Sequence, residues 1–71
     1  METRKVFAEK FNEAMKYSPL TYSELAKKLG ITKATMSMYK HGKALPSLET
    51  FDLICVFLDV SADFLLGKKD F

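Results

Sequence analysis

The 71-residue chain is poor in the residues that build disulfides, metal sites and membrane spans. It contains one cysteine, Cys55, and one histidine, His41, which excludes an internal disulfide and a metal site of the Cys/His type. The longest apolar run, Leu53–Leu58, is far too short to cross a bilayer. Because Met1–Lys5 is polar and no long apolar run follows it, we expect no signal peptide, no membrane partner and a cytoplasmic location.

Residue combinations typical of catalysis are also missing. His41 follows a short predicted helix, and Cys55 lies within an apolar one, where we expect a small buried hydrophobe. No glycine-rich loop resembles a nucleotide site, and the carboxylates are scattered without an apolar pocket that would raise a pKa. We therefore expect no enzyme activity, no cofactor, no metal and no small-molecule ligand.

Apolar residues are plentiful. They make up 48% of the chain and include six phenylalanines and three tyrosines, which argues against disorder. Since there are no repeats or linkers, residues 1–71 should form one domain, near the lower size limit for a core that is stable without disulfides or metal. Only the tail, residues 68–71, is expected to be loose.

Charge is distributed unevenly along the chain. Between Lys16 and Lys43 there are six lysines and one acid, Glu24, whereas Ala44–Leu66 has four acids and neither lysine nor arginine. One interpretation is that these lysines are ordinary solvated residues on helices. The other is that this half of the chain faces an anion and the acidic half faces away from it.

Hydrophobic periodicity predicts five helices and no strand. The first helix is expected over about Thr3–Tyr17 and ends where Ser18-Pro19 disfavours α conformation. The second should begin after Thr21, which can form a capping box with Glu24, and the third after Thr32. The inner face of the first helix contains Phe7, Phe11 and Ala14.

The third helix is expected to stop at His41-Gly42, with Gly42 at the C′ position. Pro46-Ser47 should open a fourth helix, and Ala62–Leu66 a short fifth helix that Gly67 closes. The predicted core face of the fourth helix consists of Leu48, Phe51, Ile54, Cys55 and Leu58.

Residues 22–41 contain two short amphipathic helices joined through Gly30, which is typical of a DNA-reading helix-turn-helix. Glycine fits a left-handed turn, and we expect a side chain at this point to clash where the helices cross. Ala26 should be small because it lies at their closest approach. The apolar faces of the two helices consist of Leu25, Ala26 and Leu29 before the turn and Ile31, Met36 and Tyr39 after it.

Residues 20–67 resemble the helix-turn-helix domains of Cro and the phage repressors, the XRE-like family. The resemblance is carried by Leu25-Ala26, Leu29-Gly30, Gly42-Lys43, Pro46-Ser47-Leu48 and Leu58-x-Val60-Ser61, all at the family's spacing. It implies an all-α, compact five-helix, lambda-repressor-like domain. It also implies binding to operator DNA, usually as a homodimer, and commonly repression of transcription.

The chain departs from the family pattern at three positions. Tyr22 stands where many members have a glutamine that holds a phosphate, and its phenol could donate one hydrogen bond in the same way. Met15 and Lys40 stand where many members have a buried arginine and glutamate. Because both charged partners are absent, no lone charge is buried, and Lys40 is expected to be free to face the DNA backbone.

The resemblance implies which residues would contact DNA. The positions that match the family's base-reading ones are Lys33, Ala34, Ser37 and Met38. Candidates for phosphate contacts are Tyr22, Thr32, Thr35, Lys40, His41 and Lys43. Since none of the base-reading residues is a bidentate reader such as arginine or glutamine, specificity should depend on thymine methyl contacts and DNA shape as well. The alternative for Met38 is packing in the core.

The fourth helix carries more apolar surface than one face of a small domain can bury. We expect this surface to form a two-fold interface between two copies, with a palindromic operator as the consequence. The alternative is that Leu53 and Phe57 pack on the first helix or on the tail. The predicted interface consists of Leu53, Val56, Phe57 and Phe64, with Phe71 as a further candidate.

Two other functions are compatible with the same fold. One is an antitoxin-like module whose main task is to hold a partner protein, and the other is the DNA-binding part of a longer repressor. A long ordered extension beyond the domain would indicate a toxin-binding role, and in this sequence four residues follow Gly67. The lysine asymmetry and the small side chains at the reading positions favour an operator-binding regulator.

Overall fold

The computed structural model describes residues 2–70, and in that range it contains five helices and no strand. The helices are α1 (Thr3–Tyr17), α2 (Tyr22–Leu29), α3 (Lys33–Lys40), α4 (Leu48–Leu58) and α5 (Ala62–Leu65). The all-α, five-helix prediction is therefore confirmed.

Side-chain caps set the starts of four helices. The hydroxyls of Thr21, Thr32, Ser47 and Ser61 each accept a hydrogen bond from the amide three residues later. Thr21 and Glu24 form the complete capping box that their spacing predicts. These local bonds satisfy amides that a helix start leaves without an internal partner, so the helix boundaries follow directly from the sequence.

Left-handed residues end α2 and α4. Gly30 follows α2 with φ of 70°, and Asp59 follows α4 with φ of 54°. The crowding predicted at Gly30 is wrong, because a β-carbon there would meet no atom of residues 2–70 within 4 Å. Glycine is favoured at this position by its backbone conformation alone.

The core is built around two aromatic rings of α1. Phe7 and Phe11 are fully buried and stack with their centroids 5.3 Å apart. Tyr39 of α3 meets Phe7 edge-on at 6.3 Å, and Ala26 of α2 is 4% exposed, as its small size predicts. Helix α1 also contacts α5, and α4 packs between α2 and α5. In the described part of the chain, no helix combines the length and apolar character that a membrane crossing requires.

The predicted core face of α4 is correct only in part. Ile54 and Leu58 are buried and Phe51 and Cys55 are half-buried, but Leu48 is 86% exposed. Leu48 is the first residue of α4 and points about 120° away from Ile54 around the helix axis.

At the predicted loose tail, the Lys68 amide still donates to the Asp63 carbonyl at 2.8 Å, which ties the start of the tail to α5.

Candidate nucleic-acid interface

The turn between α2 and α3 is held by hydrogen bonds on both sides. The Ile31 amide donates to the Ala26 carbonyl at 3.0 Å, which closes the end of α2. The Thr32 hydroxyl then accepts the Thr35 amide at 3.1 Å, which starts α3. Met36 and Tyr39, 3% and 6% exposed, anchor the inner side of α3 in the core.

The four predicted base-reading residues share the outer side of α3. All four are exposed: Lys33, Ala34, Ser37 and Met38. The alternative that Met38 packs in the core is wrong, because its side chain is 45% exposed. Helical spacing places these positions on one continuous strip, since residues three and four apart are neighbours on a helix surface.

Two threonines form a hydroxyl pair at the start of α3. Thr32 uses its oxygen to cap the helix and donates its own proton to the Thr35 hydroxyl, with the oxygens 3.0 Å apart. The Thr35 hydroxyl oxygen therefore accepts a hydrogen bond from Thr32, and its own O–H can donate to an outside acceptor. Of these two predicted phosphate contacts, Thr35 is the better donor, and Thr32 acts chiefly as a cap.

Basic residues lie at the other end of α3. His41 and Lys43 are both exposed in the turn that follows the helix. A β-carbon on Gly42 would lie 3.4 Å from the Arg4 carbonyl, so this turn contacts the start of α1. Arg4 and Lys5 thereby line the same shallow cleft as Lys40 and His41, together with the acidic Glu2 and Glu9. Sequence reasoning missed these two cations because they lie outside the lysine-rich segment, far from α3 in the chain.

The Tyr22 hydroxyl has a different partner from the one that the sequence predicts, and the Tyr22 ring contacts Lys40. The Tyr22 hydroxyl donates its single proton to Asn12 Oδ1 at 2.7 Å, so the predicted donation to a phosphate is not available in this arrangement. Burial raises the pKa of Tyr22, which favours the protonated phenol that this bond needs. The Lys40 ammonium lies 4.2 Å from the centroid of the Tyr22 ring.

Asn12 is the residue of this site that sequence reasoning missed. Its Nδ2 donates to the Lys40 carbonyl at 3.0 Å while its Oδ1 accepts from Tyr22. The sequence gives only a weak signal for it, an asparagine in a helix that is otherwise apolar on its inner side and charged on its outer side. In the structure this residue is half-buried. Its partners lie ten and twenty-eight residues away, so only the tertiary structure reveals them.

The predicted dimer residues separate into two groups. Val56 is 64% exposed and Leu53 is 40% exposed, and Phe57 is half-buried with the Lys28 ammonium 5.7 Å from its ring. Phe64 is 5% exposed and belongs to the core of the single chain, so its predicted place in an interface is wrong. It is buried because α5 folds back against α1. The remaining candidate, Phe71, lies outside the described residues.

No group of three or more histidine, cysteine or acidic side chains within residues 2–70 is arranged to hold a metal ion. Cys55 is a free thiol that is half-buried rather than buried as predicted. Its burial and the neighbouring Asp52 carboxylate both raise its pKa, so it favours the protonated, unreactive form.

Comparison with known proteins agrees with this geometry. A family model described as helix-turn-helix matches residues 20–65, more than half of the chain. Over 61 residues the chain is 38% identical to the uncharacterized HTH-type transcriptional regulator YqaE of Bacillus subtilis (strain 168), covering 86% of this chain and 53% of that protein. Over 65 residues it is 29% identical to the uncharacterized HTH-type transcriptional regulator YobD of the same organism, covering 92% and 58%.

The chain thus spans about half the length of the curated relatives it matches. No solved structure matches it. The turn at Gly30, the capped α3 and the family match over residues 20–65 together lead to one conclusion. The chain belongs to the XRE-type helix-turn-helix family.

Proposed function

We propose that the chain is a sequence-specific, operator-binding transcriptional regulator that inserts α3 into the major groove of duplex DNA. The observation that carries this proposal is the two-sided character of α3. Its inner side is anchored in the core through Met36 and Tyr39, while all four family reading positions are exposed on the outer side. A groove-reading helix must be held rigidly along one side and be free along the other. Family membership and the names of the relatives support a regulator and not an enzyme.

Each outer residue of α3 has a chemistry suited to base edges. Lys33 can donate to guanine O6 and N7. Ala34 and Met38 offer apolar surface to thymine methyl groups, and the Ser37 hydroxyl can donate or accept. Because no bidentate reader is present, part of the specificity comes from the shape and deformability of the DNA.

Phosphate contacts surround this strip. The Thr35 hydroxyl at the start of α3 and the exposed His41 and Lys43 beyond its end bind the DNA backbone on either side of the groove. Such contacts fix the orientation of the protein and supply affinity that does not depend on sequence.

The regulator acts as a homodimer in this proposal. The exposed Leu53 and Val56, with Phe57 beside them, form a small apolar face on α4 that a second copy covers across a two-fold axis. Two α3 helices then read half-sites about 34 Å apart, which requires a palindromic operator. A dimer on such an operator represses transcription by occupying it, in a cytoplasm where the single thiol stays reduced.

The test is selection of bound fragments from random DNA, followed by titration of the selected sequence. We expect an inverted repeat whose half-sites are about one helical turn apart. Lys33→Met should weaken binding to the selected sequence more than to a mixed-sequence duplex, whereas Lys43→Met should weaken both and reduce the salt dependence. Lys68→Met, which removes an equal charge from the tail, is the matched control. Failure to enrich any sequence, or unchanged affinity in both α3-side variants, would contradict the proposal.

A further inference from the structure

A small polar network joins the three helices of the site. The Tyr22 hydroxyl donates to Asn12 Oδ1 at 2.7 Å, and Asn12 Nδ2 donates to the Lys40 carbonyl at 3.0 Å. The Lys40 ammonium lies 4.2 Å from the centroid of the Tyr22 ring. One side chain of α1 therefore binds the first residue of α2 and the last residue of α3 at the same time.

We propose that Asn12 is a positioning residue for DNA binding, which holds Lys40 over the Tyr22 ring so that the Lys40 ammonium contacts a phosphate. The proposal rests on the DNA-binding function proposed above. Lys40 and Tyr22 both line the groove between α2 and α3, next to the exposed Lys33 and Ser37. A cation fixed there lies beside the reading strip of α3.

Asn12 makes two hydrogen bonds of opposite direction. Its amide oxygen accepts a hydrogen bond from the Tyr22 phenol while its amide nitrogen donates one to the Lys40 carbonyl, a combination that neither a carboxylate nor an aliphatic side chain provides. The Lys40 carbonyl is one of those that the end of a helix leaves without an internal partner. Asn12 and Tyr22 are both half-buried, so loss of either bond would leave poorly hydrated polar groups.

The same bonds reassign Tyr22. Its proton is committed to Asn12, and what it presents to the groove is the face of its ring, on which the Lys40 ammonium rests. A lysine on the surface loses much rotamer freedom when it binds a phosphate. Because Lys40 is already held in place, less entropy is lost on binding, which is the advantage of preorganisation.

A double-mutant cycle tests the proposal. Asn12→Leu, Lys40→Met and Lys43→Met are made singly and in pairs, and affinity for a short mixed-sequence duplex is measured against salt concentration. We expect Lys40→Met and Asn12→Leu each to reduce the slope of log affinity on log salt by about 0.9, one phosphate contact. Their combination should reduce it no further. Lys43→Met, the matched control, should add its own reduction to that of Asn12→Leu.

Full additivity of Asn12→Leu with Lys40→Met, as with Lys43→Met, would overturn the proposal and leave Asn12 a purely structural residue. Circular dichroism at the assay temperature establishes that each variant is folded. If Asn12→Leu does not fold, Tyr22→Phe takes its place in the cycle, since it breaks the bond to Asn12 and keeps the ring.

A measurement without DNA separates this proposal from the proposed function. The Tyr22 ring should shift the proton resonances of the Lys40 ε-methylene upfield relative to those of Lys43, and Asn12→Leu should abolish the difference. An upfield shift that survives the substitution would refute positioning by Asn12, whatever the DNA results. If the shift responds to Asn12 but the unmodified chain binds no duplex, the positioning stands and the DNA-binding function is what fails.

Discussion

A β-carbon placed on Gly67 would lie 2.6 Å from Cγ1 of Val6, much closer than non-bonded carbon atoms approach each other. Gly67 has φ of 76° and follows α5, so the end of α5 is pressed against the start of α1. Gly30 has a similar φ of 70°, but a β-carbon there would meet nothing within 4 Å in the described range. These two glycines share a backbone conformation and differ in their contacts.

Because of this difference, the same substitution should lower the free energy of unfolding by unequal amounts at the two positions. Gly30→Ala should lower the free energy of unfolding by about 1 kcal/mol, the cost of a left-handed backbone for a residue with a β-carbon. Gly67→Ala should cost at least about 2 kcal/mol, because the new methyl group must also displace Val6. Urea unfolding of both variants is the measurement. Equal losses would show that the contact with Val6 relaxes freely.

The threonine pair at the start of α3 predicts a separation of stability from DNA affinity. Thr35→Val keeps the shape of the side chain and the Thr32 cap but removes the hydroxyl that remains free to donate. Operator affinity should fall by about 1.5 kcal/mol, the scale of a hydrogen bond to a charged group. Thr35→Ser, which keeps a hydroxyl, is the matched control and should bind nearly as well as the unmodified chain. A loss of affinity in both variants would contradict donation by Thr35.

The local features of the fold could be predicted from the sequence because their causes are local. A hydroxyl residue three positions before its amide partner stabilises the start of a helix through a bond within one turn, which is why Thr21, Thr32 and Ser47 give correct boundaries. The inward Met36 and Tyr39 follow equally well from the spacing of apolar residues.

Features that depend on how helices dock could not be predicted in this way. Phe64 is predicted to lie in the dimer interface, but the contact between α5 and α1 buries its ring within the single chain. The Tyr22 bond needs Asn12, ten residues away on another helix. Each error concerns the partner of a residue and not the type of helix on which it lies.

Phe64 and Val56, both predicted from the sequence to form the dimer interface, should respond differently to substitution. Phe64→Ala should lower the free energy of unfolding by about 3–5 kcal/mol, as large-to-small substitutions in a core do, because the ring is almost fully buried. Val56→Asp should leave the fold intact, since this side chain is mostly exposed, and should disrupt the dimer by placing a charge in an apolar contact. Thermal unfolding and sedimentation at micromolar concentration measure the two effects.

Tyr17→Asp is the control for Val56→Asp. Tyr17 is 86% exposed on α1 and lies outside the proposed interface, so the same new charge there should leave the sedimentation coefficient unchanged. If the unmodified chain sediments as a monomer and remains one on operator DNA, the α4 interface is refuted. Dissociation caused equally by both variants would indicate a general effect of negative charge.

The capping box of α2 predicts a defined pH dependence of stability. Glu24 Oε1 accepts the Thr21 amide at 2.9 Å, and this bond, with the Thr21 hydroxyl and the nearby Lys28 and Lys27, lowers the pKa of Glu24. A carboxyl whose pKa is lower in the folded state stabilises the fold above its unfolded pKa, and this contribution is lost as the pH falls through the folded pKa. Glu24→Gln should therefore be less stable than the unmodified chain at neutral pH, and the difference should shrink below about pH 4. Urea unfolding across this range measures it, with Glu9→Gln as a control for the loss of one exposed negative charge. A loss of stability in Glu24→Gln that stays constant with pH would mean that the negative charge of Glu24 does not stabilise α2.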